Sequence, residues 1–388
     1  MTKARHPVYL GIMVSRWSAR EGERANPPPL QMPEDLFCRQ LCRIGRKLGI
    51  DVYLFDASGS PDASGITGYA LGQKEWLKTR LPLPDIVYDR TLCTSAKQLQ
   101  LRARLLSDLK QNHPFILMNG SLPDKWNVHT LLQQDGQLRP FLVPTVRYEG
   151  TQTLTALDQL QTYGLFLKPA AGTHGKGAIH LFPSSSGYEL TGRDRCNNTI
   201  AFQFHQLQEA EQWLQRFTFG IPYLVQPYLR LTGENGRPFD VRALIQKNSA
   251  GRWSFTGAAL REGGEGSVTS NLHGGGRAVM ASESLTVRFG KSASDSLLAQ
   301  IRRISERAAH RLEQHCGRLA EIGFDFGIEP DGRLWLLEAN AKPGRLAFAG
   351  DSRAASTAVL QPLRYARWLA GRRNPVFSPD NRIALQTP

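Results

Sequence analysis

The chain has 388 residues, 41% of them hydrophobic, which is enough to bury ordinary cores in two or three domains and excludes a disordered tail. Its longest apolar runs are strand-sized, far below the roughly 20 residues of a membrane-spanning helix. A formal charge of +14 favours anionic partners such as nucleotides, acidic peptides, polyanions or a membrane surface, and equally suits a surface kept basic for solubility.

The opening MTKARHPVYLGIMVSRW reaches Arg16 too soon for a signal-peptide core, so secretion by that route is not expected. Val8–Val14 reads as a first strand. Residues 18–33, with three consecutive prolines, and 57–72, rich in Gly, Ser and Asp, read as surface loops. Between them a helix is predicted over 34–48, with Leu36, Phe37, Leu41, Ile44 and Leu48 on one face and Gly49 as its stop. Strands at 52–55 and 85–88 and a helix at 95–111 complete a βαβ pattern, so residues 1–118 are expected to form a small parallel α/β domain.

From Asn119 the character changes to mixed strands at 165–168, 178–182, 223–226, 239–246 and 253–260, followed by a closing hairpin. This density argues for an α+β part with antiparallel sheets, divided here into 119–230 and 231–388. Amphipathic helices are expected at 294–315, before the hairpin, and at 356–369, after it. The five cysteines, Cys38, Cys42, Cys93, Cys196 and Cys316, make no CxxC pair and no zinc spacing, and read as reduced thiols of a cytosolic chain. No zinc finger, RNP motif or basic helix with interleaved aromatics marks dedicated nucleic-acid recognition.

Three stretches carry chemistry. In LFLKPAAGTHGKGAIHL a strand ends in Lys168, and a loop with Gly172, Gly175 and Gly177 leads into the next strand. Such glycines let backbone N–H groups approach phosphate oxygens while an ammonium neutralises charge, although a Gly-rich turn taken alone is more often a plain hairpin. The spacing is neither a P-loop nor a dinucleotide fingerprint. In EIGFDFGIEPDGRLWLLEANAKPGR two strands flank a PDG turn, and symmetry about Asp331–Gly332 pairs Asp325 with Glu338. Alternation puts Asn340 on the face of Glu338, and two carboxylates with an amide oxygen suit Mg²⁺. A solvated polar face is the plain alternative, but the apolar neighbours Phe324, Phe326, Leu334 and Leu336 make an uncompensated acidic pair there unfavourable. In YLVQPYLRLTGENGRPFDVRALIQKN, Gln226 and the backbone near Leu229 offer hydrogen bonds to an adenine edge, and Asp240 an acceptor for ribose hydroxyls.

Taken in this order, the three stretches resemble the ATP-grasp superfamily over about 119–350, and the whole chain resembles the endospore coat-associated YheC/YheD-type members in GRPFDVRALIQKN, GSVTSNLHGGG and LLEANAKPGR. The resemblance implies an ATP-grasp fold behind an N-terminal parallel α/β domain, with ATP and Mg²⁺ as cofactors. It implies that Lys125 and Lys168 contact ATP phosphates and that Gly172, Thr173, Gly175, Lys176 and Gly177 form the phosphate loop. Gln226, Tyr228 and Leu229 become the adenine hinge, Asp240 a ribose or phosphate-side contact, and Asp325, Glu338 and Asn340 the metal ligands. Arg242, Arg261, Ser270, Asn271 and His273 point toward the γ-phosphate and acceptor. The hinge departs from the pattern in carrying Gln226–Pro227 where many ATP-grasp ligases carry an acidic residue.

The reaction so implied is activation of a carboxylate as an acyl phosphate and attack by an amine, releasing ADP and phosphate. A phosphotransferase and a non-catalytic, nucleotide-binding coat protein are the alternatives. Arg242, Arg261, Arg277, Lys342 and Arg345 near the expected site suggest an anionic acceptor. Location is expected to be cytoplasmic, with spore-coat association following only from the resemblance.

Overall fold

Short apolar runs bounded by turn residues become the strands of three sheets in a computed structural model, which describes residues 7–15, 34–57, 59–93, 95–150, 153–154, 163–172, 175–233, 236–264 and 276–372. β1 (Val8–Val14), β2 (Ile50–Asp56), β3 (Ile66–Leu71), β4 (Trp76–Leu81), β5 (Ile86–Asp89) and β6 (Ile116–Leu117) form the first sheet in the order β4-β3-β2-β1-β5-β6. β2, β1, β5 and β6 run parallel, as expected, whereas β3 and β4 add an antiparallel edge. The Gly/Ser/Asp-rich stretch 57–72 is therefore not loop throughout: alternating burial in ITGYAL places β3 inside it.

Helix α1 (Asp35–Lys47) covers one face of this sheet and α2 (Ala96–Asn112) the other. The buried stripe of α1 is Phe37, Cys38, Leu41, Cys42 and Gly45. Centring the stripe there rotates Leu36 outward, 70% exposed, so Leu36 leaves the predicted core face. Ser95 caps α2, its hydroxyl accepting from the Gln98 N–H at 3.3 Å.

The second sheet contains β7 (Val146–Arg147), β8 (Leu165–Pro169), β9 (Ile179–Ser184), β10 (Gly187–Arg193), β11 (Thr199–Phe204) and β12 (Tyr223–Pro227) in the order β11-β10-β9-β8-β12-β7. Leu165, Leu167, Ile179, Leu181, Tyr223 and Val225 form a core with Ala210 and Leu214 of a helix over Leu207–Thr218. Strand alternation therefore sends Phe166, Lys168, His180, Leu224 and Gln226 to the opposite face.

The third sheet is β13 (Phe239–Lys247), β14 (Trp253–Glu262), β15 (Arg277–Met280), β16 (Glu321–Ile328) and β17 (Leu334–Asn340), ordered β15-β14-β13-β16-β17. Helix α3 (Lys125–Gln133) packs with it; in chain order the remaining helices are α4 (Leu207–Thr218), α5 (Ala281–Phe289), α6 (Lys291–Cys316) and α7 (Ser352–Arg372). Val241, Ala243, Ile245, Leu260, Ile322, Phe324 and Phe326 pack under α6, and Asp240, Arg242, Arg261 and Asp325 take the other face. α7 returns to the first sheet through Val359, Leu363 and Ala366.

A buried acid joins the first and third sheets. Glu321, fully buried, accepts from the Tyr88 hydroxyl at 2.6 Å, from Gln246 Nε2 at 3.1 Å, and from Arg90 and Arg345. Burial opposes its charge, but the two guanidiniums hold its carboxyl below the usual range. Asn119 adds a second tie, accepting from the Ala320 N–H at 2.9 Å and donating to the Ala341 carbonyl at 2.8 Å. Among the described residues no helix is long and apolar enough to cross a membrane.

Candidate functional site

The predicted pairing of Asp325 with Glu338 is present, but through a register that simple symmetry does not anticipate. Near the turn Ile328 pairs with Leu334 and Phe326 with Leu336; a bulge then leaves Leu337 out of the ladder and Asp325 meets Glu338. The inserted residue reverses the parity of β17, so Leu334 and Leu336 face the core while Glu338 and, two residues on, Asn340 share the face of Asp325. A regular hairpin would have turned Glu338 into the apolar core.

Across this face the sheet carries alternating charge. Arg242 grips Asp325 with two groups, Nη2 at 3.0 Å and a shorter contact from Nε, and Arg261 Nη2 approaches the same carboxylate at 3.0 Å. Arg261 Nε also donates to Asp240 Oδ1 at 2.6 Å. Burial opposes the charge on both sides of this network. Arg242 and Arg261 nevertheless hold the Asp325 carboxyl low, while Asp325 and Asp240 hold the Arg261 guanidinium well above its ordinary value.

The second sheet and α3 bring cations to the same place. Lys125 opens α3, whose cap is Asp124 accepting from Asn127 N–H at 2.8 Å, and its Nζ lies 3.9 Å from Glu338 and 3.1 Å from the Gly172 carbonyl. Lys168, at the end of β8, reaches toward the carbonyl of the bulged Leu337 at 3.5 Å. Burial, and then Lys125, push its ammonium down to about 8, while Glu338 and Asp325 pull the other way. Gly172 and Gly177 adopt φ of 134° and 73°, which an L side chain rarely does, and a Cβ on Gly177 would sit 2.6 Å from the Tyr223 hydroxyl. Gly175 and the exposed Lys176 complete the described part of this loop. Lys125, Lys168, Gly172, Asp325 and Glu338 thus converge from a helix and two facing sheets.

The other expected residues take these places. Gln226 is buried, with Nε2 donating to the Thr145 hydroxyl at 2.8 Å. Asp240 is buried against Arg261, which donates to it. Tyr228 stacks on His180 with ring centroids 3.5 Å apart, and the Leu229 carbonyl accepts from the Leu231 N–H at 3.0 Å. The five cations read as an acceptor cleft are each matched within the fold: Arg242 and Arg261 by Asp325, Arg277 by Glu262, Lys342 by Asp89 and Arg345 by Glu321. Glu262, Asp89 and Glu321 are shared with Arg288, Arg102 and Arg90, so these cations are paired without being cancelled one for one. Thr173, Ser270, Asn271 and His273 lie outside the described residues.

Two histidines at the site were not singled out from sequence. His180 donates from Nε2 to the Tyr163 carbonyl at 2.7 Å, between Tyr228 and Phe182. The signal available was parity: in AIHLF it alternates onto the face of Lys168, away from Ile179 and Leu181. His129, one helical turn after Lys125, is pushed down to about 4 by burial and by Lys168, and its Nε2 has no hydrogen-bond partner among the described residues.

The oxygen donors Asp325, Glu338 and Asn340 fit a small hard cation better than a soft metal, and among the described residues no group of three His, Cys, Asp or Glu side chains offers a metal site. The model for YheC/D-like ATP-grasp proteins matches residues 115–369, well over half of the chain. Endospore coat-associated protein YheC of Bacillus subtilis (strain 168) is 30% identical over 294 residues, covering 74% of this chain and 78% of that protein. Endospore coat-associated protein YheD of the same organism is 27% identical over 348 residues, covering 89% and 75%. Among solved structures the D-cycloserine synthetase DcsG superposes with a TM-score of 0.54 at 16% identity, over 94% of this chain and 100% of that one, and shares the fold. The face-to-face sheets, the paired acids on a bulged hairpin and these matches together make the chain a member of the YheC/D-like ATP-grasp family.

Proposed function

We propose that the chain is an ATP- and Mg²⁺-dependent carboxylate–amine ligase, forming a peptide-type C–N bond through an acyl phosphate and releasing ADP and phosphate. One observation carries the reading: Lys125 and Lys168 meet Asp325 and Glu338 between facing sheet surfaces. Asp325, Glu338 and Asn340 would hold the Mg²⁺, which would offset phosphate charge when bound. Lys125 and Lys168 neutralise phosphate oxygens, and Gly172, Gly175, Lys176 and Gly177, to which the resemblance adds Thr173, offer them backbone N–H groups. Tyr228 and the backbone of Leu229 line the adenine side.

Arg242 and Arg261 fix the orientation of Asp325, and Arg261 stabilises charge developing on the transferred group. The resemblance assigns Asn271, Ser270 and His273 to the γ-phosphate and acceptor. In this organisation residues 119–230 supply the phosphate side and 231–388 the metal side, behind an N-terminal α/β domain over 1–118. An amine attacks the acyl phosphate directly, so no side-chain nucleophile is required. The names of the relatives support a setting at the endospore coat.

The test is incubation with ATP, Mg²⁺ and pools of amino acids and peptides, with products identified by mass. A condensation product formed with equimolar ADP supports the ligase. A phosphorylated acceptor moves the reading to a phosphotransferase, and tight ATP binding without turnover refutes both.

A further inference from the structure

The sheet edges of this molecule are guarded unequally. β4 carries Lys78 and Arg80, β6 and β7 are two residues long, and β15 is four residues with Arg277. The outer side of β17 is met by a parallel bridge from Leu142 to Leu336 and by α3. Charge, brevity and cover are the usual defences of an edge against pairing with another chain.

β11 has none of them. Its sequence TIAFQF is six residues long, uncharged and free of proline, and it pairs only with β10 among the described residues. Ile200, Phe202 and Phe204 lie on the α4 side, where Phe202 and Trp213 touch with ring centroids 4.9 Å apart, yet Phe202 is left 42% exposed. The open edge and the half-covered aromatic pair are one continuous surface.

We propose that β11 is a self-association edge, pairing antiparallel with β11 of a second copy to join the two sheets into one. A twofold axis normal to the sheet keeps each face on its own side, so residues of equal parity oppose each other. With the axis at Phe202, Phe202 meets Phe202 and Ile200 meets Phe204; with it at Ala201, Ala201 meets Ala201 and Ile200 meets Phe202. Within β11, either register sets the apolar residues of the α4 side against one another, and no charge meets like charge. Pairing also brings the two copies of α4 to the same face. α4 packs about equally on β10 and β11, so strand spacing sets the two helices about 10 Å apart, a normal helix-packing distance. Helical spacing places Glu209 and Arg216 on the side of Trp213, and the antiparallel arrangement sets opposite charges against each other across the axis.

Sedimentation velocity on the full chain is expected to give the mass of a dimer, and Phe202→Lys to give a monomer with an unchanged far-ultraviolet circular dichroism spectrum. Should Phe202→Lys misfold, cross-linking decides independently. With the exposed Cys196 changed to Ser, Phe202→Cys or Ala201→Cys is expected to form a disulfide-linked dimer under mild oxidation. A residue on the axis faces its own copy about 4.5–5.5 Å away between Cα atoms, within disulfide range. A wild-type chain that stays monomeric up to high micromolar concentration overturns the proposal. So does a dimer in which neither cysteine cross-links.

Discussion

The two faces of the candidate site hold their charges differently. On the third sheet, Arg242 and Arg261 are locked on Asp325 and Asp240 by close, directed hydrogen bonds in a buried network. On the facing side, Lys125 stands 3.9 Å from Glu338, and among the described residues Lys168 makes one long contact of 3.5 Å to a backbone carbonyl. Planar guanidinium forks suit fixed pairing with carboxylates, whereas ammonium groups on flexible stems can be redirected. The acidic side is therefore preorganised, and the lysines are the groups free to move onto incoming phosphates. The contrast assigns structural consequences to one set of substitutions and binding consequences to the other.

Asp325→Ala should break the comparison most severely. It leaves Arg242 and Arg261 without their shared partner in a buried setting, and loss of one member of such a pair costs about 3–5 kcal/mol. Urea unfolding measures this, and a loss within experimental error would show that the network is not holding the sheet. Glu338→Gln tests the less constrained acid. Its lysine contact is long, so stability should change by less than about 1 kcal/mol. Turnover of ATP should nevertheless fall below detection, because a charged metal ligand is gone. A folded variant with unchanged ADP release removes Glu338 from the site.

Lys168→Ala should leave the fold intact and weaken nucleotide binding by about 1–3 kcal/mol, the range for a charge-assisted contact. Titration calorimetry against Asp325→Asn would sharpen the division between binding and stability. The smallest effect concerns pH. Free Lys168 titrates near 8, lowered by burial and by Lys125, and bound phosphates favour its charged form. Below about 8 the ammonium is present in both states and affinity is flat. Above it the free enzyme must take up a proton on binding, so affinity should fall by at most about tenfold per pH unit. Proton uptake seen as a buffer-dependent binding enthalpy at high pH, absent in Lys168→Arg, checks the sign.

Much of this site was legible because strand alternation and turn chemistry are local. The PDG turn marks the hairpin that carries Asp325 and Glu338, and the glycines after Lys168 mark the turn whose Gly172 carbonyl Lys125 meets. The bulge at Leu337 was not legible, since an extra residue in a ladder leaves no compositional mark, although it alone turns Glu338 to the correct face. Partners were equally hidden: a count of basic residues cannot reveal that Arg277, Lys342 and Arg345 are matched by Glu262, Asp89 and Glu321. The contacts of Gln226 with Thr145 and of Asp240 with Arg261 were hidden in the same way. In the first sheet, β3 escaped notice because glycine and serine around it signal turns more strongly than ITGYAL signals a strand.

The central claim is that nucleotide held between these two faces activates a carboxylate. Its most direct test follows heavy oxygen from a labelled carboxylate substrate during turnover with ATP, Mg²⁺ and an amine. If the carboxylate attacks the γ-phosphorus and the amine then displaces phosphate from the acyl carbon, one labelled oxygen leaves in each phosphate released. Labelled phosphate appearing in step with ADP and amide is the result this account predicts. ADP formed with label-free phosphate, or a phosphorylated acceptor that accumulates without amide, would contradict it.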